Sequence, residues 1–155
     1  MDMEVAVKPN VGNVAYAAFL LRVALGAMYL AHSVVLKYLT FTLSGTAQFF
    51  QSIGLPGWLA YLVFAAEAVG GVLLVLGIRV RVVALALLPI LVGALWVHAG
   101  NGWVFTSANG GWEYPLYLIL LTLVQVLLGE GAFALVPSRP LLPLSSAETS
   151  QGSPT

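Results

Sequence analysis

Cysteine is missing from this sequence of 155 residues, and charged side chains are scarce. Without cysteine the chain cannot form disulfide bonds, hold an iron–sulfur cluster or a thiolate-bound metal, or carry out thiol–disulfide exchange. Charged residues make up 8% of the chain and the net charge is zero, whereas soluble domains carry about 25% charged residues. Such a chain lacks the basic surface that nucleic-acid binding needs. The only aspartate is Asp2, so the sequence also offers no Ser–His–Asp triad.

Apolar residues dominate the remainder and make up 60% of the chain. Four windows are long and apolar enough for membrane-spanning helices, which need roughly 17 to 25 such residues. We assign these helices to residues 14–36, 57–78, 80–99 and 113–128. The sequence therefore predicts an all-α integral membrane protein, a bundle of four transmembrane helices surrounded by the lipid bilayer.

The segments outside these helices are more polar. Residues 40–56 are too polar and too short to span a membrane, but their large apolar side chains predict a short interfacial or re-entrant helix between helices 1 and 2. Those side chains are Phe41, Phe49, Phe50 and Ile53. Residues 1–13 are predicted to be a short N-terminal segment. Residues 137–155 are rich in proline, serine and threonine, which predicts a disordered tail.

Basic residues predict the orientation of the bundle. With four spans, the N-terminal segment, the turn at residues 78–80 and the tail share one side of the membrane. That side holds Lys8, Arg79, Arg81 and Arg139, whereas the other side holds only Lys37. Because cytoplasmic loops carry the excess of basic residues, we predict that both termini are cytoplasmic and that the loop at residues 98–112 faces outside.

Arg22 and Glu67 are charged residues inside predicted spans, where a charge costs several kcal/mol. At a rise of 1.5 Å per residue they lie about 12 Å and about 16 Å from the cytoplasmic side, which predicts a buried ion pair. Each lies on a stripe of small and polar residues, and glycines on such stripes let helices approach closely. The stripes are Arg22, Gly26, Tyr29, Ser33 and Glu67, Gly70, Gly71, Leu74. Such a pair either fixes helix packing, or it lines a polar cavity, of which Tyr29 is a further candidate residue, or moves protons; the sequence leaves these roles open.

His32, His98 and Glu113 form a second candidate group. The histidines fall within about 6 Å of the outer end of their helices, and Glu113 begins helix 4 on that side. Taken singly, each histidine is an interfacial side chain that bonds a loop carbonyl, and Trp103 and Trp112 belong to an interfacial aromatic belt. Taken together, the three polar residues are a candidate catalytic site for proton handling, with the two tryptophans at its mouth.

The chemistry of this group is narrowed by what surrounds it. Two histidines and a glutamate suit a metal in principle, but no HExxH or HxxxH spacing is present, and no metal site is predicted. A histidine–glutamate couple beside aromatic side chains can instead bind a quinone head group and carry its protons. The glycines of the loop lack the lysine and the Ser/Thr of a phosphate-binding loop, which indicates tight turns.

Four stretches of the sequence resemble the DoxX family of small four-helix bacterial membrane proteins. They are RVALGAMYLAHSVVLK, GTAQFFQSIGLPGWLA, EAVGGVLLVLGIRVRVVAL and HAGNGWVFTSANGGWEYPLYLILLTLVQVLLGEG, which together cover roughly residues 20–131 in order. The Gly-Gly-Trp-Glu-Tyr-Pro entry to the last helix is the most specific of these. The family commonly has a glycine after the first histidine and a lysine near the helix end. Here Ser33 follows His32, and Lys37 lies five positions on.

The resemblance implies a multi-pass protein of the bacterial cell (inner) membrane. The family is named for a subunit of an archaeal thiosulfate:quinone oxidoreductase, and some bacterial relatives work with partners in oxidative-stress defence. It therefore implies a membrane subunit of a quinone-linked oxidoreductase system, with a redox partner protein or further copies of the chain as partners. A second hypothesis stays open, in which the chain is a non-catalytic membrane protein that assembles or anchors a partner complex. A solute carrier is disfavoured, because the sequence shows no inverted repeat.

Overall fold

The computed structural model describes residues 11–139, and its regular elements are all helices. They are α1 (Val11–Leu30), a π-helical segment that continues it (Ala31–Thr40), α2 (Leu43–Ser52), α3 (Trp58–Leu76), α4 (Val80–His98) and α5 (Glu113–Leu128). Between residues 11 and 139 the chain forms no strand and makes one isolated β-bridge, from Ile78 to Val136. The predicted all-α class is confirmed.

Three helical stretches are long and apolar enough to cross a membrane: Val11–Thr40, Trp58–Leu76 and Val80–His98. Their outward faces are apolar as well, since large side chains such as Leu20 and Leu62 are more than half exposed. A surface of this kind suits lipid rather than water, and the protein is a multi-pass membrane protein. Helix α5 has only 16 residues, so its role as a fourth span remains a prediction.

The first helix extends beyond the predicted range of 14–36 at both ends. After Leu30 the backbone changes from α-helical to π-helical hydrogen bonds, in which each N–H reaches back five residues; at the end of the segment the N–H of Phe41 donates to the carbonyl of Leu36 at 2.8 Å. A π-helix of ten residues is unusual, since most are single turns and many lie at functional sites. This one carries His32, Ser33 and Lys37.

The segment between the first and third helices contains the short helix α2. Its N-cap is Thr42, whose hydroxyl accepts the N–H of Gly45 at 3.1 Å, as capping threonines do. Helix α2 packs against α3 and the π-helical segment. That it lies at the membrane interface or re-enters the membrane remains a prediction.

Glycines bring α1 and α3 into close contact. A Cβ atom placed on Gly26 would lie 2.8 Å from the carbonyl oxygen of Gly71, and one placed on Gly71 would lie 3.0 Å from that of Gly26. Every residue of both predicted stripes is buried; Gly26 and Gly71 face this interface, whereas Gly70 packs against Leu87 of α4. The apolar core continues between the helices and includes Leu25, Leu74, Leu87, Leu118 and Val126.

One end of the bundle is closed by residues 129–136, which we call the return segment. After α5 it folds back across the helix ends: the N–H of Ala132 donates to Ala15 at 2.9 Å, and the N–H of Val136 donates to Gly77 at 3.2 Å. The opposite end, which we call the loop end, is formed by α2 and residues 99–112. The bundle therefore has two different ends, and the polar residues divide between them.

Two predicted segments fall largely outside the described residues. The N-terminal segment was assigned to residues 1–13, but residues 11–13 belong to α1, and residues 1–10 lie outside the described range. The tail was assigned to residues 137–155, of which residues 140–155 lie outside it.

Candidate functional site: a cavity inside the helix bundle

The helices line a partly open cavity of about 1060 Å³ toward the loop end. Its wall is mostly apolar and is built from the first helical stretch, α2, α3, α4, α5 and the loop at residues 99–112. Six polar or titratable side chains interrupt the apolar wall: Tyr29, His32, Lys37, Glu67, His98 and Tyr114. A large, mainly apolar cavity with a few convergent polar groups is the usual form of a small-molecule site.

An ion pair between Lys37 and Glu67 forms part of this wall. The Lys37 ammonium lies 2.7 Å from Oε2 of Glu67, and the two side chains are 17% and 7% exposed. Lys37 also donates to the backbone carbonyl of His32, at 3.5 Å. The π-helical segment explains this contact, because its wider turn places residues five apart on the same face. The pair thus ties the π-helical segment to α3 beside His32.

The predicted Arg22–Glu67 pair is wrong. Arg22 is fully buried, but it lies level with the last turn of α3, where its guanidinium donates to the carbonyls of Leu74 at 3.0 Å and Val75 at 2.6 Å. Glu67 lies at least seven residues earlier in α3, roughly 11 Å along the helix axis. The predicted depths failed because α1 extends past the end of α3 to meet the return segment.

Arg22 instead serves as a clamp at the closed end of the bundle. Besides its two bonds to α3, it donates through Nε to Glu130 and through Nη2 to Ala132, both backbone carbonyls at 2.8 Å. The last carbonyls of a helix have no partner within the helix, and the guanidinium supplies donors in a fixed planar arrangement. The clamp joins α1, α3 and the return segment, and it does not line the cavity.

The two histidines both line the cavity, and each is oriented by its own helix. Nδ1 of His32 bonds the carbonyl of Met28 at 3.0 Å, and Nδ1 of His98 bonds the carbonyl of Ala94 at 2.8 Å. Since a carbonyl only accepts, Nδ1 must carry the proton in each ring. In the neutral imidazole Nε2 is then the free acceptor. The ring of His32 also stacks on Tyr114, with ring centroids 6.0 Å apart.

Glu113 does not join the histidines. Its Oε1 accepts the backbone N–H of Phe105 at 3.0 Å, and the side chain lines a separate cleft of about 310 Å³ with Trp103. Trp103 packs edge-on against Trp112, with centroids 4.4 Å apart, and neither tryptophan lines the cavity. The structure therefore brings together two members of the predicted group. Among residues 11–139, no three His, Cys, Asp or Glu side chains are close enough to hold a metal ion.

Tyr29 reaches the cavity from the buried stripe of α1. The residue is 1% exposed, and its hydroxyl has no hydrogen-bond partner within the described residues. Buried hydroxyls are normally satisfied by protein, water or a ligand. The hydroxyl itself is buried beside the Thr122 side chain, so it does not open into the cavity.

Sequence reasoning missed Lys37 as a cavity residue and expected Tyr114 only as one of several aromatic residues around the histidines. A signal for Lys37 was present, because the stripe of Arg22, Gly26, Tyr29 and Ser33 reaches Lys37 after one further step of four residues. Tyr114 follows Glu113 at the start of α5 and occupies the side facing His32. Nothing in its spacing distinguishes it from the surrounding aromatic residues.

Comparisons with known proteins place this chain among related sequences. The family model described as DoxX matches residues 17–100. A protein of Bacillus subtilis (strain 168), named "Putative oxidoreductase CatD", is 34% identical over 118 residues, which cover 76% of this chain and 83% of that protein. No solved structure matches the chain.

Proposed function

The chain belongs to the DoxX family, and from this premise we propose that it is the membrane subunit of a quinone-linked oxidoreductase system. The proposal places the quinone head group in the cavity between the helices. The name of the Bacillus subtilis relative, "Putative oxidoreductase CatD", supports a redox role. Electrons would come from a partner protein or a small sulfur donor, because this chain has no cysteine with which to relay them.

A single observation carries the proposal: one apolar cavity holds two oriented histidines and an ion pair. Its volume of about 1060 Å³ lies just above the usual range for small-molecule sites, roughly 300 to 1,000 Å³. The apolar wall matches the ring and the isoprenoid chain of a quinone.

The residues of the cavity suit proton handling. A quinone takes up protons together with electrons when it is reduced. His32 and His98 each hold Nδ1–H against a carbonyl, so each ring exchanges protons at Nε2 alone. A histidine is the side chain whose charge changes most readily near neutral pH. The ammonium of Lys37, paired with Glu67, would add positive charge beside the oxygen that becomes negative.

The proposal also includes the orientation of the helices in the membrane. Helix α5 would be the fourth span: at 16 residues it is roughly 24 Å long, somewhat short of a hydrocarbon core of about 30 Å. Arg22 and the return segment would lie at the cytoplasmic end, and the cavity near the outer face of the bacterial inner membrane. Helix α2, whose Phe49 and Phe50 line the cavity, would lie at that interface.

The direct test is the quinone content of the purified protein. The full chain is isolated in mild detergent with native lipid, and bound quinone is quantified by mass spectrometry. We expect a near-equimolar amount in the wild type and at least a tenfold loss, about 1.4 kcal/mol of binding free energy, in a His32→Ala/His98→Ala double variant. Trp96→Ala is the matched control, because Trp96 lies on α4 near His98 but is 62% exposed and outside the cavity.

The alternative function, a non-catalytic protein that assembles or anchors a partner complex, predicts different results for the same proteins. If the chain only assembles or anchors a partner complex, the wild type holds no quinone above the level of bulk lipid. The double histidine variant then keeps full cellular function. Either of these results would remove the basis for a quinone site.

A further inference from the structure

The cleft beside the cavity combines one carboxylate with several aromatic rings. It has a volume of about 310 Å³ and follows the first turns of α5. Glu113 supplies the carboxylate, and the other lining residues are aromatic or aliphatic: Trp103, Phe105, Tyr114, Leu116, Tyr117 and Leu120. The faces of aromatic rings attract cations, and cages of such rings recognise organic ammonium groups. The composition of the cleft therefore suits an ammonium ion better than an anion or a neutral polar molecule.

The carboxylate of Glu113 has no counter-charge within residues 11–139. The ion pair of this part of the chain joins Lys37 to Glu67, and the arginines belong to the closed end of the bundle. Oε1 of Glu113 accepts the N–H of Phe105 at 3.0 Å, whereas Oε2 makes no hydrogen bond to any described residue. An ionised carboxylate has acceptor sites on both oxygens. One oxygen is therefore left to accept a hydrogen bond from a cation outside the chain.

The cleft continues from the loop onto the outward face of α5. Leu120 lies seven residues after Glu113, about 10 Å farther along the helix, and it is 52% exposed. Val124 and Leu127 continue this face at helical spacing and are exposed as well. Tryptophan and tyrosine are enriched at the depth where lipid head groups meet the hydrocarbon core. A ligand whose charge lies at Glu113 can therefore lay an apolar chain along α5, which a small soluble amine cannot do.

We propose that this cleft binds a phospholipid with a primary ammonium head group. The ammonium donates to Oε2 of Glu113 and lies against the rings of Trp103 and Tyr117, and one acyl chain follows Leu120 along α5. A primary ammonium carries three N–H donors, whereas a trimethylammonium carries none, so the free carboxylate oxygen selects the primary amine. Glu113 repels an anionic head group. The inference is independent of the quinone proposal, because Glu113, Trp103 and Tyr117 do not line the cavity.

Lipid retention, measured by native mass spectrometry, tests the site. The full chain is reconstituted in nanodiscs with equal amounts of phosphatidylethanolamine, phosphatidylcholine and phosphatidylglycerol, extracted in mild detergent, and the retained lipid is quantified. We expect phosphatidylethanolamine to be retained about fivefold or more over each of the others, because it alone donates a hydrogen bond from a charged group to the carboxylate. Equal retention of the three lipids, or an excess of either of the others, would overturn the proposal.

Glu113→Gln isolates the contribution of the carboxylate. The glutamine oxygen can still accept the N–H of Phe105, but an amide NH₂ replaces the free oxygen and donates instead of accepting. We expect the variant to lose the preference for phosphatidylethanolamine. Glu130→Gln is the matched control, since it makes the same change at the closed end, outside the cleft, and should keep the preference at neutral pH. A preference that survives Glu113→Gln, or that both variants lose equally, would refute the role of Glu113.

Tyr117→Leu tests the aromatic wall, and a soluble head group tests the need for the acyl chain. We expect Tyr117→Leu to lower retention of phosphatidylethanolamine by about threefold through loss of a cation–π contact. Tyr61→Leu, on α3, should leave it unchanged, because Tyr61 is 47% exposed but lines neither the cleft nor the cavity. Soluble phosphoethanolamine in excess should not displace the lipid. Equal retention in both tyrosine variants would contradict the aromatic contact, and displacement by phosphoethanolamine would overturn the assignment to a lipid.

Discussion

Arg22 is the residue on which the closed end of the bundle most depends. Its guanidinium bonds four backbone carbonyls, two in α3 and two in the return segment. Arg22→Lys keeps the charge but replaces a planar set of donors by a single ammonium. We expect a loss of about 3 kcal/mol or more in the free energy of unfolding, as for other broken buried networks, seen as a lower thermal midpoint in detergent.

Arg79→Lys is the matched control for this variant. Arg79 is exposed in the turn between α3 and α4, and we expect its substitution to change stability by no more than about 0.5 kcal/mol. Equal midpoints for the Arg22 and Arg79 variants would contradict the clamp.

The Lys37–Glu67 pair makes a prediction about coupling. Either Lys37→Met or Glu67→Gln leaves one buried partner without its counterpart, and each should cost about 3 kcal/mol. The Lys37→Met/Glu67→Gln double variant leaves no unpaired charge, so it should recover most of that loss. A double-mutant cycle of thermal unfolding measures this interaction. Strictly additive losses would show that the two groups are not coupled.

At this scale the sequence predicted which residues are buried better than it predicted their partners. Arg22, Tyr29 and Glu67 are buried as expected, because a charge or glycine stripe within an apolar helix has to face protein. The partner of Arg22 depends on how far one helix slides along another. No local sequence pattern fixes the offset between the two helices. The return segment sets this offset, but its residues show no distinctive sequence pattern that would predict its fold.

Helices α1 and α3 are held together by a contact that tolerates no side chain at its centre. Alanine is the better helix former by about 1 kcal/mol, yet a methyl group on Gly26 would meet Val75 Cγ2 at 2.7 Å and Gly71 O at 2.8 Å. We expect Gly26→Ala to lower stability by about 1 to 3 kcal/mol through overpacking. Gly93→Ala, where α4 leaves open space around the new methyl group, should be neutral or stabilising. Thermal unfolding of both variants tests this prediction. A Gly26→Ala protein as stable as the wild type would show that the helices can move apart.

The return segment makes stability depend on pH through Glu130. Burial opposes ionisation of this carboxyl, but the hydrogen bond from the Ser138 N–H and the charge of Arg81 outweigh it and lower its pKa below the ordinary 4.5. A lowered folded-state pKa means that the stabilisation is complete above pH 4.5 and is lost as the pH falls through the lower value. We therefore expect the wild type to lose stability below about pH 4.5 more steeply than Glu130→Gln. Stability is measured by thermal unfolding of both proteins across pH. If the stability of the two proteins fell in parallel below about pH 4.5, the role of Glu130 would be contradicted.

The π-helical segment shows why the loop-end site could be predicted only in part. A periodicity of 3.6 residues places His32 near the outer end of its helix, and both histidines do line one cavity. The same periodicity assumes that hydrogen bonds reach back four residues throughout. From Ala31 to Thr40 they reach back five, so the carbonyl of His32 and the ammonium of Lys37, five residues apart, meet at 3.5 Å. Glu113 was expected with the histidines because it begins a helix at that level, but depth does not determine the direction of a side chain.

For the whole molecule, hydropathy was sufficient to predict a helical membrane protein, because lipid leaves helices as the simplest way to satisfy the backbone. It could not predict the cavity. The space between helices depends on where glycines allow close approach and where bulky side chains prevent it. In this bundle the Gly26–Gly71 contact draws the helices together, and the cavity lies beyond it toward the loop end.

The central claim is that this cavity binds a quinone, and photo-crosslinking with an azido-quinone tests it most directly. The full chain in native lipid is irradiated with the probe, digested, and the adducts are located by mass spectrometry. We predict adducts on cavity residues of the first helical stretch, α3 and α4, around His32, Val63 and His98, and their loss when excess unlabelled quinone is added. Adducts spread over the exposed outer faces, or confined to the cleft at Trp103 and Tyr117, and insensitive to unlabelled quinone, would contradict the claim.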